Sequence, residues 1–158
     1  MGHFMLSPNL RPYGDGNSLN SPIIALGEAW GYFMGLYLAH QKYNIDPGSF
    51  KGDANVSSQQ SGLGDFDGIA LENFNPNLAG DPFRWIPKGL MEDLRDVNNE
   101  TRPPLFVNDV VGGFTIQKIF AALQSDIRTI PAYRDRLIQQ NPGNQTAQIN
   151  ALFGQYNY

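Results

Sequence analysis

The sequence contains no cysteine, and charged residues make up only 16% of its 158 positions. The absence of cysteine excludes disulfides and metal sites built from thiolates. Lysine and arginine are scattered along a chain of net charge −4, so no basic patch indicates nucleic-acid binding. The first residues lack the basic region and apolar run of a signal peptide. The remaining composition, 41% hydrophobic and 12% aromatic, is that of a folded protein.

Apolar residues recur at three- and four-residue steps in five segments, and this spacing predicts helices. In the second to fifth segments the apolar faces are Leu90, Met91, Leu94 and Val97; Ile116, Ile119, Phe120 and Leu123; Tyr133, Leu137 and Ile138; and Ile149, Leu152, Phe153 and Tyr156. No alternating strand pattern of useful length occurs; the one candidate, at 105–107, is short. The sequence therefore predicts an all-α fold of about five helices with long irregular loops. The predicted helices cover about 21–43, 87–97, 115–125, 131–140 and 145–155.

Residues 1–20 and 44–83 are predicted to be loops, because proline, glycine and asparagine interrupt any period. The second loop is long for a connection inside a compact domain. We interpret it as a plain surface excursion, with a substrate lid or a partly mobile segment as the alternatives. The length of the chain favours one domain, so residues 1–158 are assigned to a single helical domain.

Glu28 is the only charged side chain between Ser21 and His40, in the first predicted helix. A carboxylate among apolar neighbours is unfavourable unless it is paired, protonated or bound to a cation. Two interpretations stay open. Glu28 is a metal ligand, or it is a buried carboxylate that is paired with an arginine such as Arg84 or Arg95 or hydrogen-bonded to backbone.

Small residues accompany Glu28 on its face of the helix, at three- and four-residue steps. This pattern predicts that another helix backbone approaches closely there. The opposite face carries large apolar side chains and is predicted to fill the core. The small residues are Ser21, Ala25, Gly31, Gly35 and Ala39, and the large ones are Leu26, Trp30, Phe33 and Tyr37.

The same helix raises the question of a membrane span, because residues 22–39 are mostly apolar. A glutamate near the middle makes insertion unfavourable, and no lysine or arginine flanks the N-terminal side. A buried core helix is therefore predicted, and no transmembrane segment.

The segment Gly27-Glu-Ala-Trp-Gly-Tyr-Phe33 resembles the downstream glutamate helix of gluzincin-type zinc metallopeptidases. It is most similar to the metallopeptidase-like proteins of gut bacteria, which are often exported and lipid-anchored. In that family a His-Glu-x-x-His helix supplies two zinc ligands and the catalytic glutamate. A second helix, of the form Gly-Glu-x-Trp-Ala/Gly-x-Phe/Tyr, supplies the third ligand. Shorter matches at 12–15, 90–100, 109–120 and 149–153 extend the resemblance over most of residues 12–156.

The resemblance implies a fold like the C-terminal helical subdomain of a gluzincin. It further implies that Glu28 is the third zinc ligand of a parent protein that acts on peptides or proteins, outside the cytoplasm or anchored to lipid. This chain departs from the family because it contains no His-Glu-x-x-His, and its two histidines, His3 and His40, lack a partner at four-residue spacing. We therefore expect the C-terminal part of a longer peptidase, or a descendant without its active helix. As an isolated chain it should be inactive and bind no zinc.

Three further side chains are candidates for roles in such a site. Tyr32, one turn after Glu28, could donate a hydrogen bond to a tetrahedral oxyanion, although a core position is the simpler interpretation. Asp93 and Asp96 share one side of the second helix. Either could accept a hydrogen bond from a zinc-bound histidine without itself touching the zinc. The simpler interpretation of each aspartate is a hydrogen bond to loop backbone or a salt bridge to arginine.

Two other possibilities concern the partners of the chain. One alternative function is a non-catalytic helical module that binds a peptide or a glycan through its aromatic surface. The other is a homodimer through the small-residue face of the first helix, which would be exposed if a partner helix were missing.

Overall fold

A computed structural model describes residues 19–43, 85–95, 97, 107, 111–143 and 145–158. Within these ranges the chain forms five helices and no strand, so the predicted all-α class is confirmed for this part. Most of the predicted loops 1–20 and 44–83 lies outside the described residues, and the assignment of a single domain stays a prediction. The helices are α1 Ser21–Tyr43, α2 Leu90–Arg95, α3 Ile116–Ala121, α4 Ile130–Gln140 and α5 Thr146–Gln155.

Threonine caps explain where α3 and α4 begin. The hydroxyl of Thr115 accepts a hydrogen bond of 3.3 Å from the backbone N–H of Lys118, and Thr129 accepts one of 3.1 Å from Ala132. The hydroxyl of Thr129 gives the N–H of Ala132 a partner that the first turn of α4 lacks, whereas the N–H of Lys118 also donates to the Thr115 carbonyl, at 3.0 Å. Pro131 lies in the first turn of α4, where its missing N–H costs nothing.

The second helix is shorter than its apolar pattern predicts, and the prediction for Val97 is wrong. Predicted on the apolar face of the helix, Val97 is 81% exposed. At the end of the helix the last carbonyls have partners outside it. The carbonyl oxygens of Leu94 and Arg95 accept hydrogen bonds from the backbone of Phe114 and Gly113, at 2.9 and 3.2 Å.

The third helix is also shorter than predicted, since it ends at Ala121 instead of continuing to about Ser125. Ile119 is fully buried as expected, but Phe120, predicted on the same apolar stripe, is 58% exposed. The helix has only six residues, and it buries a narrower part of its surface against the core than the four apolar residues of the predicted stripe cover. Phe120 lies outside that buried part.

One cluster of buried apolar side chains joins all five helices. α1 contacts α2 and α4, α2 contacts α3, and α4 contacts α5. The predicted apolar faces of α4 and α5 are confirmed, as is the burial of Leu26 and Phe33 on α1. The helical members of the cluster are Ala25, Leu26, Ala29, Phe33, Leu90, Met91, Leu94, Ile119, Ile130, Tyr133, Leu137, Ile149, Leu152 and Phe153.

The first helix is 23 residues long. Even so, none of the helices in the described ranges combines the length and apolar character that crossing a bilayer requires. The expectation that α1 does not span a membrane agrees with this finding.

Tyr133 places a titratable group in the core. Its side chain is fully buried, and its hydroxyl donates a hydrogen bond of 3.2 Å to the carbonyl oxygen of Ile119. Burial raises the pKa of Tyr133 above its ordinary value, because the phenolate would lose its hydration.

The raised pKa predicts a loss of stability at high pH. A tyrosine with a higher pKa in the folded state contributes stability that is fully present below its unfolded pKa of about 10 and is lost as the pH rises further. Above pH 10, the unfolding free energy of Tyr133→Phe should fall less steeply with pH than that of the wild type, by up to about 1.4 kcal/mol per pH unit. Urea titrations from about pH 8 to pH 11 measure this slope. If the unfolding free energies of the wild type and of Tyr133→Phe fell equally steeply with pH, Tyr133 would not be the group responsible. Some pH dependence should remain in Tyr133→Phe, because burial also raises the pKa of Tyr158.

Candidate functional site

Glu28 lies at the edge of the buried face of α1 and is half-buried. The centre of that face is formed by Ala29 and Phe33, which are fully buried. Neighbouring residues of an α-helix differ by about 100° around the axis, so Glu28 is turned by about that angle from Ala29. Glu28 therefore lies on the flank of the buried face of α1, and its position in a close helix seam stays a prediction.

The small residues beside Glu28 do not all make the close contact that the sequence predicts. Ser21 and Ala25 are buried, as expected. In the part of the chain that is described, however, a Cβ atom placed on Gly31 or Gly35 would meet no other heavy atom within 4 Å. The tight approach of a second helix is thus not found at these two glycines, and the homodimer through this face stays a prediction.

Tyr32 is half-buried, one turn beyond Glu28 on the same side of α1. The ammonium group of Lys88 lies 5.4 Å from the centre of the Tyr32 ring, within the range of a cation–π contact. Lys88 belongs to the turn before α2 and is only 7% exposed. Because residues four apart on a helix are neighbours, this contact brings a positive charge close to the side of α1 that carries Glu28.

Asp93 is a buried carboxylate on α2, 4% exposed. Its Oδ2 accepts a hydrogen bond of 2.6 Å from the hydroxyl of Tyr156, which is itself buried at the end of α5. A carboxylate this far from water requires such donors. Asp96, the other predicted aspartate, lies outside the described residues, and the role of both beside a zinc ligand stays a prediction.

Glu92 is a second buried carboxylate, 1% exposed. Arg95 binds it through two nitrogens: Nε lies 3.0 Å from Oε2, and Nη2 is hydrogen-bonded to Oε1. Such a two-point contact supplies both the countercharge and the hydrogen bonds that a buried carboxylate needs. Sequence reasoning missed Glu92, although its three-residue spacing from Arg95 is a usable signal.

We use the name α1–α2 site for the surface between α1 and α2 that the contact between Tyr32 and Lys88 marks. Glu28 lies one turn from Tyr32 on α1, and Glu92 and Asp93 belong to α2. Chemically it offers carboxylates, a phenol and an ammonium group. Among the residues that the structure describes, no group of three or more His, Cys, Asp or Glu could hold a metal ion. Glu28 can supply one oxygen ligand, and a zinc ion would need its other ligands from outside these ranges. His3 and the side chain of His40 also lie outside them.

No protein-family model, curated protein or solved structure matches this chain. The interpretation of the α1–α2 site therefore depends on its own residues and on the motif around Glu28.

Proposed function

We propose that this chain is the C-terminal helical part of a zinc-dependent metallopeptidase, in which Glu28 is the third zinc ligand. The observation that supports this most is the position of Glu28. It is half-buried on a long helix whose other side packs in the core, so the backbone that carries it is fixed and part of the residue stays exposed. A catalytic zinc ligand needs both properties, because the metal must be reached by water and substrate.

The buried aspartate adds a second argument. Histidines that bind zinc usually donate their other ring N–H to a carboxylate, which fixes the orientation of the ring. Asp93 is suited to that role because its hydrogen bond with Tyr156 restrains the carboxylate. Tyr32, beside Glu28, is the proposed donor to a developing oxyanion.

The proposal does not assign a complete reaction to these residues. Bound zinc would polarise a peptide carbonyl and lower the pKa of a bound water molecule. Glu28 is only one of the three protein ligands that a catalytic zinc needs, and the general base has no candidate among the described residues. We therefore propose that the isolated chain is inactive, and that a parent protein, extracytoplasmic or lipid-anchored, acts on peptides or proteins.

The proposal is tested on the protein encoded by the complete reading frame. We expect a His-Glu-x-x-His sequence upstream of Met1 and one zinc ion per chain. Glu28→Gln should weaken zinc binding by at least about 100-fold, because a first-shell ligand is lost. Plasma mass spectrometry and competition with a chelating dye measure content and affinity. Asp135→Asn, which changes an exposed carboxylate on α4, is the matched control and should leave zinc binding unchanged. Equal affinity in the two variants would rule out Glu28 as a ligand.

The 158-residue chain alone provides an independent check. We expect no stoichiometric zinc in it, with or without Glu28→Gln. One zinc ion per chain, lost in the variant, would instead mean that His3 or a second subunit completes the site.

A non-catalytic module that binds a peptide or a glycan is the second candidate. Trp30 and Phe120 favour it, because these rings lie 5.4 Å apart at their centres and both reach the surface. Exposed aromatic pairs offer a large apolar contact area to a ligand. A reading frame that opens at Met1, without an upstream histidine motif, would favour this function over the first.

A further inference from the structure

Two tyrosines that follow α5 reach back to α2 and to the segment that precedes it. The hydroxyl of Tyr156 donates to Asp93, and the hydroxyl of Tyr158 donates to the backbone carbonyl of Trp85. The partners are separated by 63 and 73 residues in the sequence. Between the two anchoring points lies the turn 85–89, which carries Lys88.

The backbone at the end of α5 directs the second tyrosine toward this turn. Asn157 has a positive φ of 66°, a left-handed conformation that asparagine tolerates better than most residues. The N–H groups of Asn157 and Tyr158 donate to the carbonyls of Gly154 and Phe153, at 3.1 and 3.0 Å. This pattern is a Schellman motif, which ends a helix and reverses the direction of the chain.

One feature of the turn 85–89 makes the arrangement held by these hydrogen bonds less favourable. The indole Nε1 of Trp85 is buried and, within the described ranges, has no hydrogen-bond acceptor. A buried donor without an acceptor is unfavourable, because it has lost its bond to water and gained none. Opening of the turn would return this N–H to water.

The turn touches the core through Trp85. That side chain is partly buried and packs against the main hydrophobic cluster of the described residues, whereas Ile86 is buried without belonging to it. Opening of the turn therefore requires Trp85 to leave the cluster, and the hydrogen bond from Tyr158 to its carbonyl opposes that movement.

We propose that Tyr156 and Tyr158 form a strap that holds the turn 85–89 closed, and that release of Tyr158 exposes Lys88. In the closed state the Lys88 ammonium lies against the Tyr32 ring, next to the Glu28 side of α1. In the open state it leaves the α1–α2 site for solvent. The strap thus controls whether the positive charge of Lys88 lies beside Glu28. The inference does not depend on the proposed zinc chemistry.

Competitive acylation of lysines tests the strap on the 158-residue chain, with modification at each lysine read by mass spectrometry. Lys42 and Lys118 are exposed and serve as internal references. In the wild type, Lys88 should react at least about tenfold more slowly than Lys118, because it reacts only from the open state. Tyr158→Phe should raise the Lys88 rate about five- to tenfold, the effect of one lost hydrogen bond on the opening equilibrium.

Tyr133→Phe is the matched control, since it removes another buried tyrosine hydroxyl that donates to a backbone carbonyl, far from the turn in sequence. It should leave the ratio of the Lys88 and Lys118 rates unchanged. If both variants raise the ratio equally, the opening is global and the strap is refuted. An unchanged ratio in folded Tyr158→Phe would also refute it.

Discussion

Replacing Phe33 with alanine is expected to lower the free energy of unfolding by about 3–5 kcal/mol. Phe33 is fully buried on α1, with its ring centre 5.8 Å from that of Trp30 and 6.0 Å from that of Tyr37. Because α1 is packed against both α2 and α4, the backbone cannot move in to fill the space left by the ring. Urea unfolding followed by circular dichroism measures the loss.

Phe120→Ala is the control for this experiment. It deletes the same atoms, and the Phe120 ring also contacts Trp30, but the side chain is 58% exposed. We expect a loss below about 1 kcal/mol, since little apolar surface returns to water. Similar losses in the two variants would show that the contact with Trp30, and not burial, determines the effect.

Arg95→Met is expected to lower the free energy of unfolding by about 2–3 kcal/mol. The substitution leaves the Glu92 carboxylate buried without its two-point contact. The expected loss is smaller than that for a fully buried pair, because the Arg95 side chain is 30% exposed and water can partly replace it. Thermal and urea unfolding at neutral pH measure it.

Two comparisons separate burial from charge in this prediction. Arg134→Met breaks an exposed pair with Asp135, 2.9 Å apart, and should change stability by no more than about 0.5 kcal/mol. Arg95→Met combined with Glu92→Leu should recover most of the stability that Arg95→Met loses, because no buried charge remains. A double variant as unstable as the single one would mean that Glu92 has a further structural role.

The sequence predicted the helices best where local signals and apolar spacing agree. Ser21 followed by Pro22 marks the start of α1, and the predicted range 21–43 is the observed one. In α4 and α5 the residues at helical spacing, such as Leu137 and Phe153, are buried as expected. These features are set by residues a few positions apart, and short-range patterns are sufficient to predict them.

The α1–α2 site was less predictable, because its contacts join residues that are distant in the sequence. Nothing in the sequence distinguishes Lys88 from the other lysines or pairs Tyr156 with Asp93. The helical period predicts the order of the side chains around the axis of α1, but it does not predict which of them face the core. That direction depends on how α2 and α4 pack, so the buried face is centred on Ala29 and Glu28 lies on its flank.

The long sequence separation of the strap has a consequence during synthesis. A ribosome that adds about 5–20 residues per second needs roughly 3–13 s to proceed from Asp93 to Tyr156, which lie 63 residues apart. Throughout that interval the Asp93 carboxylate is without its hydrogen-bond donor from the end of α5. Helix α2, with six residues, is too short to persist alone in water. The hydrogen bonds of the strap are therefore formed last, once the end of α5 has been made.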